Sequence, residues 1–96
     1  MHVITRKRLL DFSRKHPSCR SAIESWYRII KFTDFRNFVE LRAVFPSADQ
    51  VGNFTVFNVG GSKARLVVAI HYNTGKIYVR HVLTHKEYDK GAWKEE

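Results

Sequence analysis

The spacing of apolar residues predicts a pair of helices in the first third of the chain. A short β-favouring stretch, residues 2–5, precedes a first helical pattern, which Pro17 ends. A second pattern has the stripe of a core-facing helix, with apolar residues at i, i+3, i+4 and i+7: Ile23, Trp26, Tyr27 and Ile30. Ser21 and Glu24 have capping-box spacing, so this helix is predicted to begin there or earlier, at Ser18. The short loop at Pro17 makes the pair an antiparallel hairpin.

Beyond residue 53 the period changes to two, which is typical of β-strands. The pattern predicts three strands: residues 54–59, 63–73 and 76–83. Tight turns at Gly60-Gly61 and Thr74-Gly75 would connect them as a meander.

Shorter elements are predicted on either side of these strands. A short helix is expected over residues 38–44, followed by a turn-rich stretch at residues 47–52. Thr84 and Glu87 again have capping-box spacing, which predicts a last helix over residues 85–90.

Two-residue turns would fix which side chains share a face, because cross-strand partners point to the same side. The predicted pairs are Asn58 with Lys63, Val56 with Arg65, His71 with Tyr78 and Ala69 with Arg80. One face is then apolar and should meet the helices, and it includes His81 and Leu83. The other face holds these residues: Asn58, Lys63, Arg65, His71, Tyr78, Arg80 and Thr84. It has no Asp or Glu, which favours a binding surface over a merely solvated one.

Length and composition limit the class of protein. A chain of 96 residues with 44% hydrophobic residues fits one α+β domain spanning residues 1–96. Its predicted architecture is an N-terminal strand, a two-helix hairpin packed on an antiparallel β-sheet, and a short C-terminal helix. One cysteine, no secretory leader and no apolar run of about 20 residues indicate a cytoplasmic protein with no membrane association.

The charge balance indicates an anionic partner. Seventeen Lys and Arg against nine Asp and Glu give a net charge of +8, which favours nucleic acid first. Lys63, Arg65 and Arg80 lie on one predicted face, where guanidinium groups can hold a phosphate. His71 faces Tyr78 there, and both a structural pair and an RNA contact remain open.

The last helix adds groups that can move protons. His85, Tyr88 and Asp89 share one side of it, at i, i+3 and i+4. RNA is cut without metal when a base takes the proton of its own 2′-OH, cations hold the phosphate and an acid protonates the leaving oxygen. His81 and His85 lie about 13 Å apart on an extended strand, too far to share a metal ion. Neither a metal site nor a cofactor is expected.

Five segments of the chain resemble the HigB toxins of toxin–antitoxin pairs, within the wider RelE/ParE-like superfamily. These segments are residues 2–9 (HVITRKRL), 44–49 (VFPSAD), 56–67 (VFNVGGSKARLV), 77–80 (IYVR) and 84–89 (THKEYD). The resemblance implies a β-α-α-β-β-β fold and a metal-independent endoribonuclease that cleaves mRNA, typically on the ribosome. It also implies a HigA-type helix-turn-helix antitoxin as partner, with operator DNA bound only through that antitoxin.

The resemblance also implies roles for individual residues. Arg65 and Arg80 are expected at the scissile phosphate, and Lys63 at a phosphate or a base. His85 and Tyr88 are expected in proton transfer or base stacking. The remaining expected RNA contacts are His71, Lys86 and Lys90.

Two other functions remain open at this point. A ParE-like, non-enzymatic gyrase poison would share the fold but would act through the helical hairpin. A plain RNA-binding module would bind with a strong salt dependence and leave its ligand uncut.

Overall fold

The computed structural model describes residues 1–61 and 63–95. Ser62, which falls in one of the motif segments, and Glu96 lie outside the described residues. The helices are α1 (Arg6–Lys15), α2 (Arg20–Lys31), α3 (Phe38–Val44) and α4 (His85–Lys90), and the strands are β1 (His2–Ile4), β2 (Asp49–Val51), β3 (Phe54–Val59), β4 (Ala64–His71) and β5 (Lys76–Thr84). Short 3-10 turns span Pro17–Cys19 and Ala92–Glu95.

The α+β class predicted from the sequence is confirmed, with a sheet of five strands in the order β1-β5-β4-β3-β2. The sheet is mixed rather than antiparallel, because β1 runs parallel to β5. The turn-rich stretch predicted at residues 47–52 contains β2, which pairs antiparallel with β3.

Helices α1 and α2 cover one face of the sheet, called here the first face. Their apolar stripes supply Leu9 and Ile30 to the main core, where Trp26 meets Phe57 edge to face at 5.3 Å between ring centroids. The capping box predicted at Ser21 is wrong: α2 begins at Arg20, directly after the 3-10 turn, and has no side-chain cap. The 3-10 turn already sets the backbone direction, so the helix continues from it.

The predicted strand register is wrong by two residues in both hairpins. Asn58 pairs with Arg65 and His71 with Lys76, because each connecting loop has four residues, 60–63 and 72–75. A shift of two keeps the side chains of β3, of β4 and of β5 as far as Arg80 on their predicted faces. Arg65 therefore lies where the sequence placed it, although its partner differs.

A β-bulge changes the second half of β5. Val68 pairs with Val79 but Val67 pairs with His81, so Arg80 is the extra residue. Beyond it the two faces are exchanged, and Leu83 belongs to the second face while Val82 packs against the main core. The prediction that His81 and Leu83 point into the helix-covered core is therefore wrong.

The C-terminal helix is built as predicted. Thr84 Oγ1 accepts from the N–H of Glu87 at 3.2 Å, and Glu87 Oε1 accepts from the N–H of Thr84 at 3.0 Å, which completes the capping box. Gly91 ends the helix with φ of 74°, a left-handed conformation that glycine adopts without strain.

Among the residues that the structure describes, no helix has the length and apolar character needed to cross a membrane.

Glu87→Gln should make stability less sensitive to acid. The hydrogen bond from the backbone N–H of Thr84 holds the pKa of the Glu87 carboxyl below its usual value. The contribution of the ionised carboxylate to stability is complete above the ordinary pKa of about 4.3 and is lost as the pH falls through the lowered folded-state value. In urea unfolding, wild type should exceed the variant in stability at neutral pH, and the difference should shrink as the pH falls below about 4.3 and through the lowered folded-state pKa. Ser25→Ala, on the exposed side of α2, should differ from wild type by the same amount at every pH.

Candidate functional site

The second face of the sheet is only partly covered. A small apolar cluster there contains Val56, Val67 and Trp93, with Leu83 and Tyr88 packed against it. Tyr88 comes from α4 and Trp93 from the 3-10 turn that follows it. The C-terminal segment therefore folds back onto this face and brings α4 beside β4 and β5.

Arg65 is the charged residue built most deeply into this face. It is 9% exposed, its Cζ lies 5.6 Å from the centroid of the Tyr88 ring, and its Nη1 donates to the carbonyl of Ala64 at 3.3 Å. Among the side chains that the structure describes, residues 1–61 and 63–94, no carboxylate forms an ion pair with it. Burying a cation without a counter-ion costs free energy. A bound anion would offset that cost.

Arg80 lies on the same face, as alternation along β5 from Ile77 and Val79 predicts, and it is the extra residue of the bulge. Its side chain is exposed, with Cζ 6.0 Å from the centroid of the Phe54 ring. The carbonyl oxygen of Arg80 accepts from Nη1 of Arg8 at 2.7 Å. This bond joins α1 to the bulge and satisfies a carbonyl where the ladder is irregular.

Aromatic rings connect the two arginines. Tyr88 stacks on Trp93 with centroids 5.0 Å apart and planes 18° apart, and Trp93 Nε1 donates to the carbonyl of Tyr88 at 3.1 Å. Phe54 meets Trp93 edge to face at 6.3 Å. These five residues, called here the aromatic–basic patch, are Phe54, Arg65, Arg80, Tyr88 and Trp93.

Sequence reasoning missed two members of the patch, Phe54 and Trp93. Phe54 alternates with Val56 and Asn58, so the period of the strand already put it on the second face, but only its place in the strand was used. Trp93 follows a helix that ends at Gly91 and belongs to no periodic pattern. The available signal for Trp93 was its position: an aromatic residue just after the end of a short helix often packs back against the side of that helix or its neighbouring surface.

His85 carries a carboxylate partner. Its Nδ1 lies 2.8 Å from Asp89 Oδ2, and both side chains are more than half exposed. This pairing occupies Nδ1 and leaves Nε2 available to other groups. Because Ala64 pairs with Thr84, Lys63 and His85 both lie just beyond that pair, at the same end of the sheet.

The other residues expected to contact RNA, His71, Lys86 and Lys90, are not all gathered around Arg65. His71 is six residues from Arg65 along β4, about 20 Å at 3.3 Å per residue, and its ring meets that of Tyr78 edge to face at 5.2 Å. Lys86 and Lys90 are exposed and one turn apart on α4. Their roles stay predictions.

Comparisons with known proteins identify relatives over almost the whole chain. Residues 19–91 match the profile of a family described as HigB toxin, RelE-like toxic component of a toxin–antitoxin system. The mRNA interferase HigB of Escherichia coli O6:H1 is 36% identical over 93 residues, 94% of this chain and 90% of that protein. The mRNA interferase toxin HigB of Escherichia coli (strain K12) and the mRNA interferase HigB of Shigella flexneri are each 39% identical over 92 residues, 93% of this chain and 88% of theirs.

Two substitutions of Trp93 should distinguish the contribution of its ring to stability from the contribution of its N–H group. Trp93→Ala removes a nearly buried ring and should lower the free energy of unfolding by about 3 kcal/mol. Trp93→Phe keeps an aromatic ring but loses the donor to Tyr88 and part of the buried ring, so it should cost less, about 1–2 kcal/mol. Urea unfolding of both variants measures the difference. Equal losses in the two variants would contradict a stabilising role for the stack.

Proposed function

Because the chain belongs to the HigB family of RelE-like toxins of toxin–antitoxin systems, we propose that it is a cytoplasmic mRNA endoribonuclease that needs no metal ion and cuts message on the ribosome. Its relatives carry the name mRNA interferase, which supplies the reaction and the substrate class. The observation that carries the proposal is the buried Arg65, which lies beside Tyr88 and has no carboxylate partner among the described side chains, with Arg80 on the same face.

The two arginines hold the scissile phosphate in this proposal. A guanidinium donates two parallel hydrogen bonds to phosphate oxygens, and its charge is stronger where water is excluded. Arg65 is held by burial and by the Tyr88 ring, so little reorganisation is needed when negative charge develops in the transition state. Arg80 approaches from the neighbouring strand.

The proton transfers are assigned to α4. Nε2 of His85 takes the proton of the ribose 2′-OH, and the 2′-oxygen attacks the adjacent phosphorus. The bond from phosphorus to the 5′-oxygen breaks, and the hydroxyl of Tyr88 protonates that oxygen. The products are a 2′,3′-cyclic phosphate and a free 5′-hydroxyl. Asp89 orients His85 through Nδ1 and stabilises the imidazolium that forms.

Contacts to the flanking nucleotides complete the site. Lys63 is exposed at the end of the sheet where α4 begins, which suits a neighbouring phosphate or base. Lys86 and Lys90 extend the positive surface along α4. His71 sits at the far end of β4 and would contact RNA only several nucleotides away.

The proposed partners follow from family membership. A toxin–antitoxin family implies an antitoxin, and we assign it to the HigA helix-turn-helix type, which would also carry the complex to operator DNA. Net charge of +8 supports association with ribosomal RNA as well as with message.

Removing either arginine should abolish cleavage. Arg80→Ala and Arg65→Ala should each lower the rate about 100-fold or more, while Arg42→Ala on α3 should cut at the wild-type rate. Primer extension on message bound to ribosomes gives the rate, and far-ultraviolet circular dichroism verifies the fold. A gyrase supercoiling assay on the same preparation should show no inhibition; inhibition of gyrase together with uncut message would overturn the proposal.

The cleavage products and two conservative variants test the proton transfers. A 2′-deoxynucleotide at the scissile position should block cleavage, because no 2′-OH is present to attack. Tyr88→Phe keeps the stacked ring, and Asp89→Asn keeps the size of the side chain. Each should lower kcat about 100-fold with little change in KM. Products ending in 3′-hydroxyl and 5′-phosphate would mean attack by water and would contradict the mechanism.

A further inference from the structure

A second charged surface lies on the helices, on the other side of the sheet from the aromatic–basic patch. A groove of about 660 Å³ runs between α1 and α2. Five of its lining residues are Lys or Arg, and one, Glu24, is acidic. Glu24 is paired with Arg20 at 3.1 Å, and the other four cations of the lining leave the groove strongly positive.

The positive charges stand at the two ends of the groove. Arg14 and Arg20 lie near the Pro17 turn, whereas Arg6, Arg28 and Lys31 lie at the opposite end. On α1, Arg6 and Arg14 are eight residues apart, which is about 12 Å along a helix.

Apolar surface fills the space between these ends. Leu9 and Ile23 form the buried floor, and Leu10 is 46% exposed above it. Phe32 extends the apolar surface at one end and is 77% exposed. Exposed apolar side chains rimmed by charges are typical of a protein interaction site.

The chemistry of the groove favours a protein helix over RNA. Aliphatic side chains gain little from nucleotide bases, which bind by stacking on aromatic rings. Two aromatic rings line the groove, and each already has a cation on it: the Arg6 guanidinium lies 4.3 Å from the Tyr27 centroid, and Lys31 Nζ lies 5.6 Å from the Phe32 centroid. Leucine or isoleucine side chains fit the floor, and carboxylates about two turns apart match both positive ends.

We propose that the groove between α1 and α2 binds an amphipathic helix of an acidic partner protein, with aliphatic residues over Leu10 and carboxylates at both ends. The expected partner protein is the antitoxin that family membership implies. Because α2 has 12 residues, a partner helix of about three turns would span the groove. The proposal does not depend on the ribonuclease mechanism, because the groove shares no residue with the aromatic–basic patch.

A model peptide tests the proposal directly. The probe is a fluorescein-labelled, end-capped helical peptide of about 14 residues, made of Ala, Gln, Leu and Glu, with Leu at i, i+3, i+4 and i+7 and Glu in the first and last turns. Fluorescence anisotropy with the full chain should show binding at or below about 100 µM. The same peptide with Lys in place of Glu should not bind, and added salt should weaken the Glu peptide.

Matched variants locate the binding site. Leu10→Asp and Arg14→Glu should each weaken the peptide about tenfold or more. Val39→Asp and Arg42→Glu make the same chemical changes on exposed positions of α3 and should bind like wild type. Leu10→Asp should still cleave message at the wild-type rate, so loss of docking and loss of catalysis are distinguished.

Three results would overturn the proposal. The first is no binding of the Glu peptide at about 100 µM. The second is equal weakening by the groove variants and the α3 variants. The third is a short RNA oligonucleotide that loses affinity with both Leu10→Asp and Arg14→Glu while the peptide does not bind, which would assign the groove to RNA.

Discussion

The bulge at Arg80 is the feature on which the two-sided construction of the sheet depends. Strict alternation along β5 would put Leu83 on the same side as Ile77 and Val79, against α1 and α2. The extra residue reverses the faces, so Leu83 joins the second face and the chain leaves β5 with α4 directed there. On this face the Tyr88 ring lies 5.6 Å from Cζ of Arg65. Arg8 fixes the bulge from α1 by bonding its carbonyl.

The burial of Arg65 is the feature that favours a bound anion at this site in the proposed function. A cation with 9% exposure and no carboxylate partner among the described residues lowers the stability of the free protein. Stacking of Tyr88 on Trp93 holds the ring against which this guanidinium rests. Burying this cation lowers the free energy of unfolding of the unbound protein, but it holds the guanidinium in place before an anion binds. Preorganised electrostatic sites have this property.

Local signals in the sequence predicted the helices and strands well. The strand register and the position of Trp93 were missed because both depend on contacts between residues that are distant in the sequence. The capping box of α4 and the strand Phe54–Val59 depend on a few adjacent residues, and both are as expected. The register depends on loop length, and four-residue loops replaced the two-residue turns. Arg65 was still placed on the correct face because the shift was even. Trp93 was missed because its contacts come from β3 and α4, which no spacing rule connects.

The positive charge of the protein is divided between two surfaces on opposite sides of the sheet. The sum of +8 suggests one basic surface, yet the cations of α1 and α2 and the arginines of β4 and β5 lie on opposite sides of the sheet. The two surfaces also differ in their apolar component. Aromatic rings accompany Arg65 and Arg80, which suits phosphates joined to stacking bases, whereas Leu10 and Ile23 accompany Arg14, which suits a helix with aliphatic side chains. In the two proposals, the exposed aliphatic surface at Leu10 assigns the groove to a protein helix, and the rings around Arg65 and Arg80 assign the second face to nucleic acid. The charge alone would not distinguish these surfaces.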